Sequence, residues 1–359
     1  MINTLYTSAK LSQFRIKIPP ELIAPKPYKV RDMARLMVLD RKTGQIEHKV
    51  FRDLVDYLGE EDLIVLNNTK VFPARLKGEK EKTGAQITVT LIRELNQETY
   101  LWDVVVDPAR KIRIGNKLYF GDNDSLVAEV IDNTTSRGRA IRFLFDGDHN
   151  ELIKTIRSIG QAPLPDEILK MRDVTNSDLN DYQSIFGSVE GASAVPTTSL
   201  HFTKEMLMRL EINGVRRTDL TLHSGIGNFR PIEVEDLSKH RQDSEEMHLS
   251  DKTANMVNTA RNNGHHVLAV GTTVMKALET AVTIPGKIAP YDGWTNKFIF
   301  PPYDFTMADM MVSNFERSMS PQFIMVSAFG GQEQVMEAYK LAIKEKYRFS
   351  TWGDALLII

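Results

Sequence analysis

Residues 265–281 decide the fold and read HHVLAVGTTVMKALETA. Residues 266–270 form a short apolar run, which is typical of a buried strand. Gly271-Thr272-Thr273 then predicts a turn, and residues 274–281 continue as a helix. A buried strand that leads through a glycine turn into a helix is characteristic of a sheet covered by helices. The stretch therefore predicts an α/β architecture.

Helices with clear start signals precede this unit. Thr203 can cap a helix in which Leu207 and Leu210 share one face, and Gly214 ends it. Ser250 opens a second helix in the same way. The second half of the chain therefore alternates between helix and strand.

Further strands are predicted at both ends of the chain. Phe323–Ala328 reads as a strand, followed by Gly330-Gly331 and a helix over Gln334–Lys346. Arg35–Leu39 and Asp62–Leu66 also read as strands, and we expect them to pair with the second half. If strands from both ends of the chain form one sheet, the segment between them is an inserted domain.

That segment, residues 78–148, has the period-two alternation of a half-exposed sheet. The predicted strands are Ile87–Leu91, Trp102–Val106, Lys117–Phe120, Leu126–Val130 and Arg139–Phe145. Turns bearing Gly, Asp or Asn separate them, which indicates a small antiparallel β-barrel or sandwich. We therefore predict a discontinuous α/β domain of residues 1–77 and 149–359, with an inserted β domain at 78–148.

Composition excludes several classes of protein. At 359 residues the chain is long enough for two domains. It contains no cysteine, so disulfides, thiolate nucleophiles and Cys-ligated zinc or iron–sulfur clusters are excluded. We see neither a signal peptide nor an apolar run of membrane-spanning length, and we expect a cytoplasmic protein. Because the net charge is only −2, any nucleic-acid contact must be a local basic patch.

Three motifs carry candidate chemistry. Gly271-Thr272-Thr273 opens a helix, whose free N–H groups suit a carboxylate or phosphate, although either threonine could instead cap its own helix. Residues 222–231, LHSGIGNFRP, contain a Gly-x-Gly turn that either approaches a ligand or forms an ordinary loop. Residues 196–203, PTTSLHFT, place His201 beside three hydroxyls, as a general base or as a satisfied core histidine.

Two other patterns have plainer interpretations. The His-x-x-Asp-x-x-x-x-His spacing of residues 240–248 matches no metal motif, so a solvated polar loop is favoured and no metal is expected. No Gly-x-Ser-x-Gly elbow occurs, which removes the serine hydrolases of that type. Basic side chains at Arg75, Lys77, Arg110, Lys111 and Arg113 are either RNA contacts or solvated faces.

Taken in order, short motifs along nearly the whole chain resemble the S-adenosylmethionine:tRNA ribosyltransferase-isomerase family of queuosine biosynthesis. They include Arg31-Asp32, Pro73-Ala74-Arg75-Leu76, Pro163-Leu164-Pro165, Tyr182-Gln183, Thr221-Leu222-His223, Ser244-Glu245, Gly271-Thr272-Thr273, Asn314-Phe315 and Tyr347-Arg348-Phe349. The resemblance implies an α/β domain with an inserted β-barrel. It also implies transfer and isomerisation of the ribosyl part of S-adenosylmethionine onto 7-aminomethyl-7-deazaguanine in a tRNA anticodon stem-loop, giving epoxyqueuosine.

The resemblance also suggests roles for individual residues. We hypothesise that His201 and His223 carry protons, that Glu245 is a base or sulfonium partner, and that Arg230 clamps an anion. The expected contacts to S-adenosylmethionine, a co-substrate, are Thr197, Gly225, Gly227, Phe229, Ser244, Gly271, Thr272, Thr273, Asn314 and Phe315. The methionine carboxylate is expected at Gly271-Thr272-Thr273. The expected RNA contacts are Arg75, Lys77, Arg110, Lys111 and Arg113.

Several motifs depart from the usual family pattern. Asp243 and Glu316 stand where the family usually has histidine, Ser199 where it has glycine, and Lys276 where it has arginine. An arginine-to-lysine change loses bidentate geometry. Two alternatives therefore stay open: a diverged paralogue that acts on another base or nucleoside, and a non-catalytic RNA- or nucleoside-binding protein. The sequence leaves the oligomeric state unknown.

Overall fold

The computed structural model describes residues 9–135, 137–225 and 231–359. The chain divides into two compact units. The first comprises residues 1–69, 184–189 and 195–359, and the second comprises residues 70–183 and 190–194. The domain limits inferred from the sequence, 78 and 148, stay a prediction.

Within the described ranges, the first unit is built on a nine-stranded mixed sheet. In spatial order the strands are β17 (Tyr291–Thr295), β13 (Glu245–Leu249), β12 (Arg216–Leu222), β3 (Leu63–Asn67), β14 (Val267–Val270), β18 (Met310–Asn314), β19 (Ala355–Ile358), β1 (Arg35–Leu39) and β2 (Ile46–Val50). The central strands β12, β3, β14 and β18 are parallel, whereas β13, β17 and β2 pair antiparallel with their neighbours. The prediction of a mixed sheet formed from both ends of the chain is confirmed.

Helices cover this sheet. They are α4 (Lys204–Ile212), α5 (Asp251–Asn262), α6 (Thr272–Thr280), α7 (Pro321–Gly330) and α8 (Gln332–Lys344). Both predicted caps are present, because Thr203 Oγ1 accepts a hydrogen bond from the Met206 N–H and Ser250 Oγ accepts one from the Thr253 N–H, each at 3.2 Å. The start signals in the sequence therefore placed α4 and α5 correctly.

Strand β14 shows how both faces of the sheet become buried. Val267 and Ala269 pack into one core with α5, α6, α7 and α8, whereas Leu268 and Val270 pack into a second core with α4 and the 3-10 helix Phe51–Tyr57. Successive side chains of a strand point to opposite faces, so both sets must be apolar. This explains the unbroken apolar run of the deciding stretch.

The strand predicted over Phe323–Ala328 is wrong, because these residues lie in α7. Ser320 Oγ accepts a hydrogen bond from the Phe323 N–H at 3.1 Å, and Pro321 occupies the first helical turn. The helix is buried on nearly all sides. A short, uniformly apolar run has no period that separates a buried helix from a strand, and here the Ser-Pro start signal decides for the helix.

The second unit contains a closed antiparallel barrel, with six strands among the described residues. These strands are β5 (Arg75–Lys80), β6 (Ala85–Asn96), β7 (Leu101–Asp107), β8 (Lys117–Phe120), β9 (Leu126–Asn133) and β10 (Gly138–Leu144). Their order, β10-β7-β6-β5-β8-β9, closes through β9 and β10. The inserted barrel is confirmed over the sandwich alternative. Strand β5 was missed because its sequence, RLKGEK, has little apolar alternation.

Helix α1 (His149–Ile159) follows the barrel in the sequence and packs on its core through Leu152 and Ile156. The remaining short elements are β4 (Thr69–Val71), α2 (Asp166–Leu169), α3 (Asp178–Asp181), β11 (Val189–Ala192), β15 (Val282–Ile284) and β16 (Lys287–Ile288). Since α1 covers apolar side chains of the barrel core, the barrel unit extends past the alternating region of the sequence.

Candidate active site

The junction between β14 and α6 has the predicted strand-glycine-helix form. Gly271 has φ +85° and ψ 161°, a backbone conformation that residues with a Cβ rarely adopt. It occupies the cap position of α6, and no side chain caps this helix. Neither Thr272 nor Thr273 therefore serves as the cap. The anion site predicted at this helix start stays a prediction.

Thr272 and Thr273 lie in the wall of an open pocket of the first unit. Its empty volume, solvent at the mouth included, is about 360 Å³. The lining residues are Gln242, Glu245, Thr272, Thr273, Lys276, Lys297, Phe298, Ile299, Pro321, Gln322 and Met325. Charged, hydroxyl and apolar side chains thus converge in one concave site, as is typical of a ligand pocket.

Glu245 is the most constrained charged group in this pocket. Its Oε2 accepts a hydrogen bond from Lys276 Nζ at 2.7 Å, and its Oε1 accepts hydrogen bonds from Ser224 Oγ at 3.0 Å and from the Gly225 N–H at 3.4 Å. The Glu245 and Lys276 side chains are 5% and 6% exposed. A buried carboxylate bonded through both oxygens is held in one orientation.

A second network surrounds Asn67 at the end of β3. Asn67 Nδ2 donates to the Leu222 carbonyl at 3.0 Å and to Thr273 Oγ1 at 3.2 Å, and its Oδ1 accepts from the Thr69 N–H at 3.1 Å. Thr69 Oγ1 lies 2.8 Å from His223 Nδ1. This network ties His223 to the helix start of the pocket through side-chain hydrogen bonds.

His223 and Glu245 nevertheless have different partners. Burial lowers the pKa of His223, and the Glu246 carboxylate opposes that shift. Glu245 and Glu246 are consecutive in β13, so their side chains point to opposite faces. Ser224, which follows His223, makes the hydrogen bond to Glu245. His223 therefore lies beside Glu246, and Ser224 lies beside Glu245.

His201 lies in a buried position. It is 4% exposed, its Nε2 lies 3.0 Å from Asn314 Oδ1, and its ring centroid is 4.7 Å from that of Phe51. Asn314 Nδ2 donates to the carbonyls of Ser350 and Thr351, which leaves Oδ1 facing the imidazole. Burial lowers the pKa of His201 to about 4. A neutral imidazole therefore prevails near pH 7, and His201 does not line the pocket described above.

The other predicted contacts fall into three groups. Gly225 touches Glu245 through its N–H, and Thr197 begins the 3-10 helix that ends at His201. Ser244 is exposed, whereas Phe315 packs in the core against the rings of neighbouring aromatic residues. Gly227, Phe229 and Arg230 lie outside the described residues. The structure thus brings Gly271, Thr272, Thr273 and Glu245 together and assigns Phe315 to the core.

Two pocket lysines received no role from the sequence. Lys276 lies four residues after Thr272 on α6, so helical spacing alone places both on one face. Lys297 follows the edge strand β17 and comes to the pocket only through the tertiary fold. The first lysine could have been found from periodicity, whereas no local signal marks the second.

In the barrel unit, Arg110, Lys111 and Arg113 are exposed. Buried Arg139 supports their segment, because its Nη2 donates to the Ala109 carbonyl at 2.9 Å and to the Ile112 carbonyl at 3.0 Å. The predicted basic segment therefore has a fixed backbone. Of the two other predicted contacts, Lys77 is exposed and Arg75 is partly buried.

Two further features are absent from the residues that the structure describes: a cluster of side chains that could hold a metal ion, and a helix that could cross a membrane. No group of three or more His, Asp or Glu side chains is arranged to hold a metal ion in that part of the chain. Among the same residues, no helix is both long and apolar enough to cross a membrane.

Comparisons with known proteins give consistent matches over almost the full length. A family model described as "Queuosine biosynthesis protein" matches residues 11–358. A relative from Bacteroides fragilis, named S-adenosylmethionine:tRNA ribosyltransferase-isomerase, is 58% identical over 98% of this chain and 99% of its own length. One of the same name from Phocaeicola vulgatus is 56% identical over the same shares. A crystal structure of S-adenosylmethionine tRNA ribosyltransferase from Thermotoga maritima is 32% identical, with a TM-score of 0.54, over 97% of this chain and 100% of that chain.

Proposed function

The chain belongs to the queuosine biosynthesis family, and on this premise we propose that it transfers and isomerises the ribosyl part of S-adenosylmethionine onto 7-aminomethyl-7-deazaguanine in tRNA, giving epoxyqueuosine. The observation that carries the proposal is 58% identity to a relative of that name over 98% of the chain. The family model, which matches residues 11–358, spans every residue that lines the pocket. The chain is accordingly an enzyme, and its two substrates are S-adenosylmethionine and tRNA.

The reaction requires particular groups near the co-substrate. The sulfonium of S-adenosylmethionine acidifies the ribose C5′ hydrogens, so a base must stand beside that carbon. The aminomethyl group of the tRNA base must lose a proton before it attacks, and adenine must gain one as it leaves. Methionine is the other product. The site must therefore hold an amino acid moiety and a nucleoside while it manages at least two proton transfers.

Glu245 is the acid–base group that the pocket supports best. It lies at the wall beside the start of α6, and three donors fix its orientation. A carboxylate held in this way is preorganised either to accept a proton or to face the sulfonium charge. His223 is tied to the same helix start through Thr69 and Asn67 and is the second candidate proton carrier.

His201 has a weaker claim to proton transfer. Its buried, neutral imidazole is bonded to Asn314, and both residues are placed by strand β18 and the 3-10 helix Thr197–His201. We retain His201 as a proposed proton carrier that acts only if substrate binding opens access to it. Arg230, proposed as an anion clamp, belongs to the Gly-x-Gly sequence motif and lies outside the described residues.

The tRNA is proposed to contact the barrel unit through the exposed Arg110, Lys111 and Arg113, together with Lys77 and Arg75. Because the net charge of the chain is −2, affinity must come from such a local patch and is expected to be modest. We assign the anticodon stem-loop as the bound element. A cytoplasmic location follows from a tRNA substrate and belongs to the same proposal.

The test is incubation with S-adenosylmethionine and tRNA that carries the deazaguanine precursor, followed by nucleoside mass analysis. We expect the mass of epoxyqueuosine, with one adenine released per modified base. Product formation on a different nucleoside would support a diverged paralogue instead. If neither adenine release nor S-adenosylmethionine binding occurs, the proposed activity is wrong and a non-catalytic RNA-binding role takes its place.

A further inference from the structure

The pocket beside α6 has an unbalanced charge. Glu245, Lys276 and Lys297 are the charged side chains among its described lining residues. Glu245 and Lys276 form an ion pair at 2.7 Å and cancel one another. Lys297 forms no ion pair with a carboxylate of the described part of the chain, and its ammonium donates instead to Tyr303 Oη at 3.1 Å. Among the lining residues that the structure describes, one net positive charge is therefore left, located at Lys297.

A chain of partly buried hydrogen bonds that ends at buried Glu279 holds this lysine in place. Tyr303 Oη donates to Glu279 Oε2 at 3.1 Å, and Glu279 Oε1 accepts from the N–H groups of Thr306 at 2.9 Å and Met307 at 3.0 Å. Glu279 is 3% exposed and lies on α6, the helix that also carries Lys276. Burial and the Glu279 carboxylate raise the pKa of Tyr303, so its hydroxyl remains a donor to Glu279 and an acceptor from Lys297 at neutral pH.

Such support distinguishes Lys297 from a solvated surface lysine. Its side chain is partly buried, and its ammonium lies 5.4 Å from the centre of the Tyr303 ring. Lysine side chains lose considerable rotamer freedom when they are held in one place, and a fixed lysine therefore binds an anion at a lower entropic cost. Phe298, Ile299 and Met325 in the same lining add apolar surface beside Lys297, which strengthens its attraction for an anion.

We propose that Lys297, together with the start of α6 at Thr272 and Thr273 in the same pocket, binds the carboxylate of the methionyl part of S-adenosylmethionine and thereby selects a co-substrate that carries it. The inference rests on the proposed function. It identifies Lys297 as the residue that recognises the methionyl end of S-adenosylmethionine. That co-substrate has a sulfonium, an ammonium and a single carboxylate, and the carboxylate is the group that a lysine ammonium attracts. Glu245, which lines the same pocket, is left to face the positive centres.

The experiment compares two ligands that differ only in that carboxylate. Steady-state adenine release gives KM and kcat for S-adenosylmethionine, and decarboxylated S-adenosylmethionine is tested as a competitive inhibitor. For Lys297→Met we expect KM to rise by about tenfold or more, the loss of one charge-assisted hydrogen bond, with kcat within about threefold. The inhibition constant of the decarboxylated ligand should stay within about twofold of wild type, because that ligand has nothing for Lys297 to bind.

Two further variants complete the design. Lys297→Arg keeps the charge and should stay within about threefold of wild type in KM. Lys340→Met makes the same substitution at an exposed site on α8, where the lysine pairs with Glu337, and should leave KM unchanged. If Lys297→Met does not fold, judged by its melting curve, Lys297→Gln replaces it in every assay.

Three outcomes would overturn the inference. KM of Lys297→Met for S-adenosylmethionine could stay at the wild-type value, or the affinities for both ligands could fall equally. Either result would mean that Lys297 does not bind the carboxylate. A change confined to KM for tRNA, with a shallower salt dependence, would assign Lys297 to a phosphate. Failure of the proposed function is separable, since wild-type protein would then neither bind S-adenosylmethionine nor release adenine.

Discussion

Lys276 Nζ lies 2.7 Å from Glu245 Oε2, and both side chains are almost fully buried. Burial of two charges costs several kcal/mol per ion and is tolerated only when geometry and hydrogen bonds compensate. Here the carboxylate has two more donors, Ser224 and Gly225. Lys276 stands where the resemblance to the family implies an arginine, and its single ammonium meets a single carboxylate oxygen. The lysine therefore supplies a positive charge to Glu245 without bidentate geometry.

Glu245→Gln tests the acid–base role directly. The amide keeps the shape of the side chain but cannot accept a proton, so we expect turnover to fall by about 10²–10⁴. The affinity for S-adenosylmethionine should stay within about tenfold. Single-turnover adenine release and calorimetric binding measure the two quantities. Activity that falls only in proportion to the unfolded fraction, read from melting curves, would indicate a structural role instead.

Lys276→Met tests whether the lysine acts through Glu245. Removing the cation from beside the buried carboxylate should cost about 3–5 kcal/mol of stability and should lower kcat more than it raises KM. In a Glu245→Gln background the same substitution should change kcat by less than about twofold, because the partner charge has gone. Lys276→Arg should restore most of the rate. Equal effects of Lys276→Met in both backgrounds would contradict this coupling.

His201 predicts a pH dependence of stability. Burial lowers its folded-state pKa to about 4 from 6.5, so the unfolded chain binds the proton more readily between these values. Its contribution to the free energy of unfolding is thus complete above pH 6.5 and is lost as the pH falls from 6.5 to about 4. The slope from this group is at most about 1.4 kcal/mol per pH unit. Denaturant unfolding of wild type and His201→Asn should show a shallower slope for the variant; parallel slopes would rule out this titration.

The basic barrel segment predicts a salt effect on RNA binding. Charge reversal at Arg110 and Lys111 should weaken tRNA binding and lower the log–log salt slope by about 0.7–0.9 for each phosphate that is no longer neutralised. Filter binding over a salt series measures both. Lys340→Glu, an exposed site on α8, serves as the control and should leave the slope unchanged. Affinity and slope that both stay at wild-type values would move the RNA footprint elsewhere.

Arg139 offers an independent test of the same segment. Its guanidinium holds the carbonyls of Ala109 and Ile112, so Arg139→Met should loosen the segment without removing a predicted RNA-binding side chain. We expect weaker tRNA binding and faster amide exchange around residues 109–112. Faster exchange with unchanged RNA affinity would show that the segment does not need a fixed backbone to bind.

Local sequence signals were sufficient where one interaction determines the structure. Thr203 and Ser250 cap their helices as predicted, since a hydroxyl three residues before an N–H is a purely local contact. Local signals gave the wrong element for α7, where nearly every side chain is buried. They missed β5, where apolar and polar side chains hardly alternate. Both failures follow from reading the hydrophobic period alone.

By itself, the sequence determined the α/β class, the inserted barrel and the family, and it predicted Glu245 and the Gly271 turn as site elements. Only the tertiary structure decided how these residues combine. It paired Glu245 with Lys276, separated His223 from Glu245 by the alternation of β13, buried His201 against Asn314, and brought Lys297 into the pocket. Caps, turns and periodicity depend on neighbours within a few residues, whereas charge pairing and burial depend on side chains that only the folded sheet brings together.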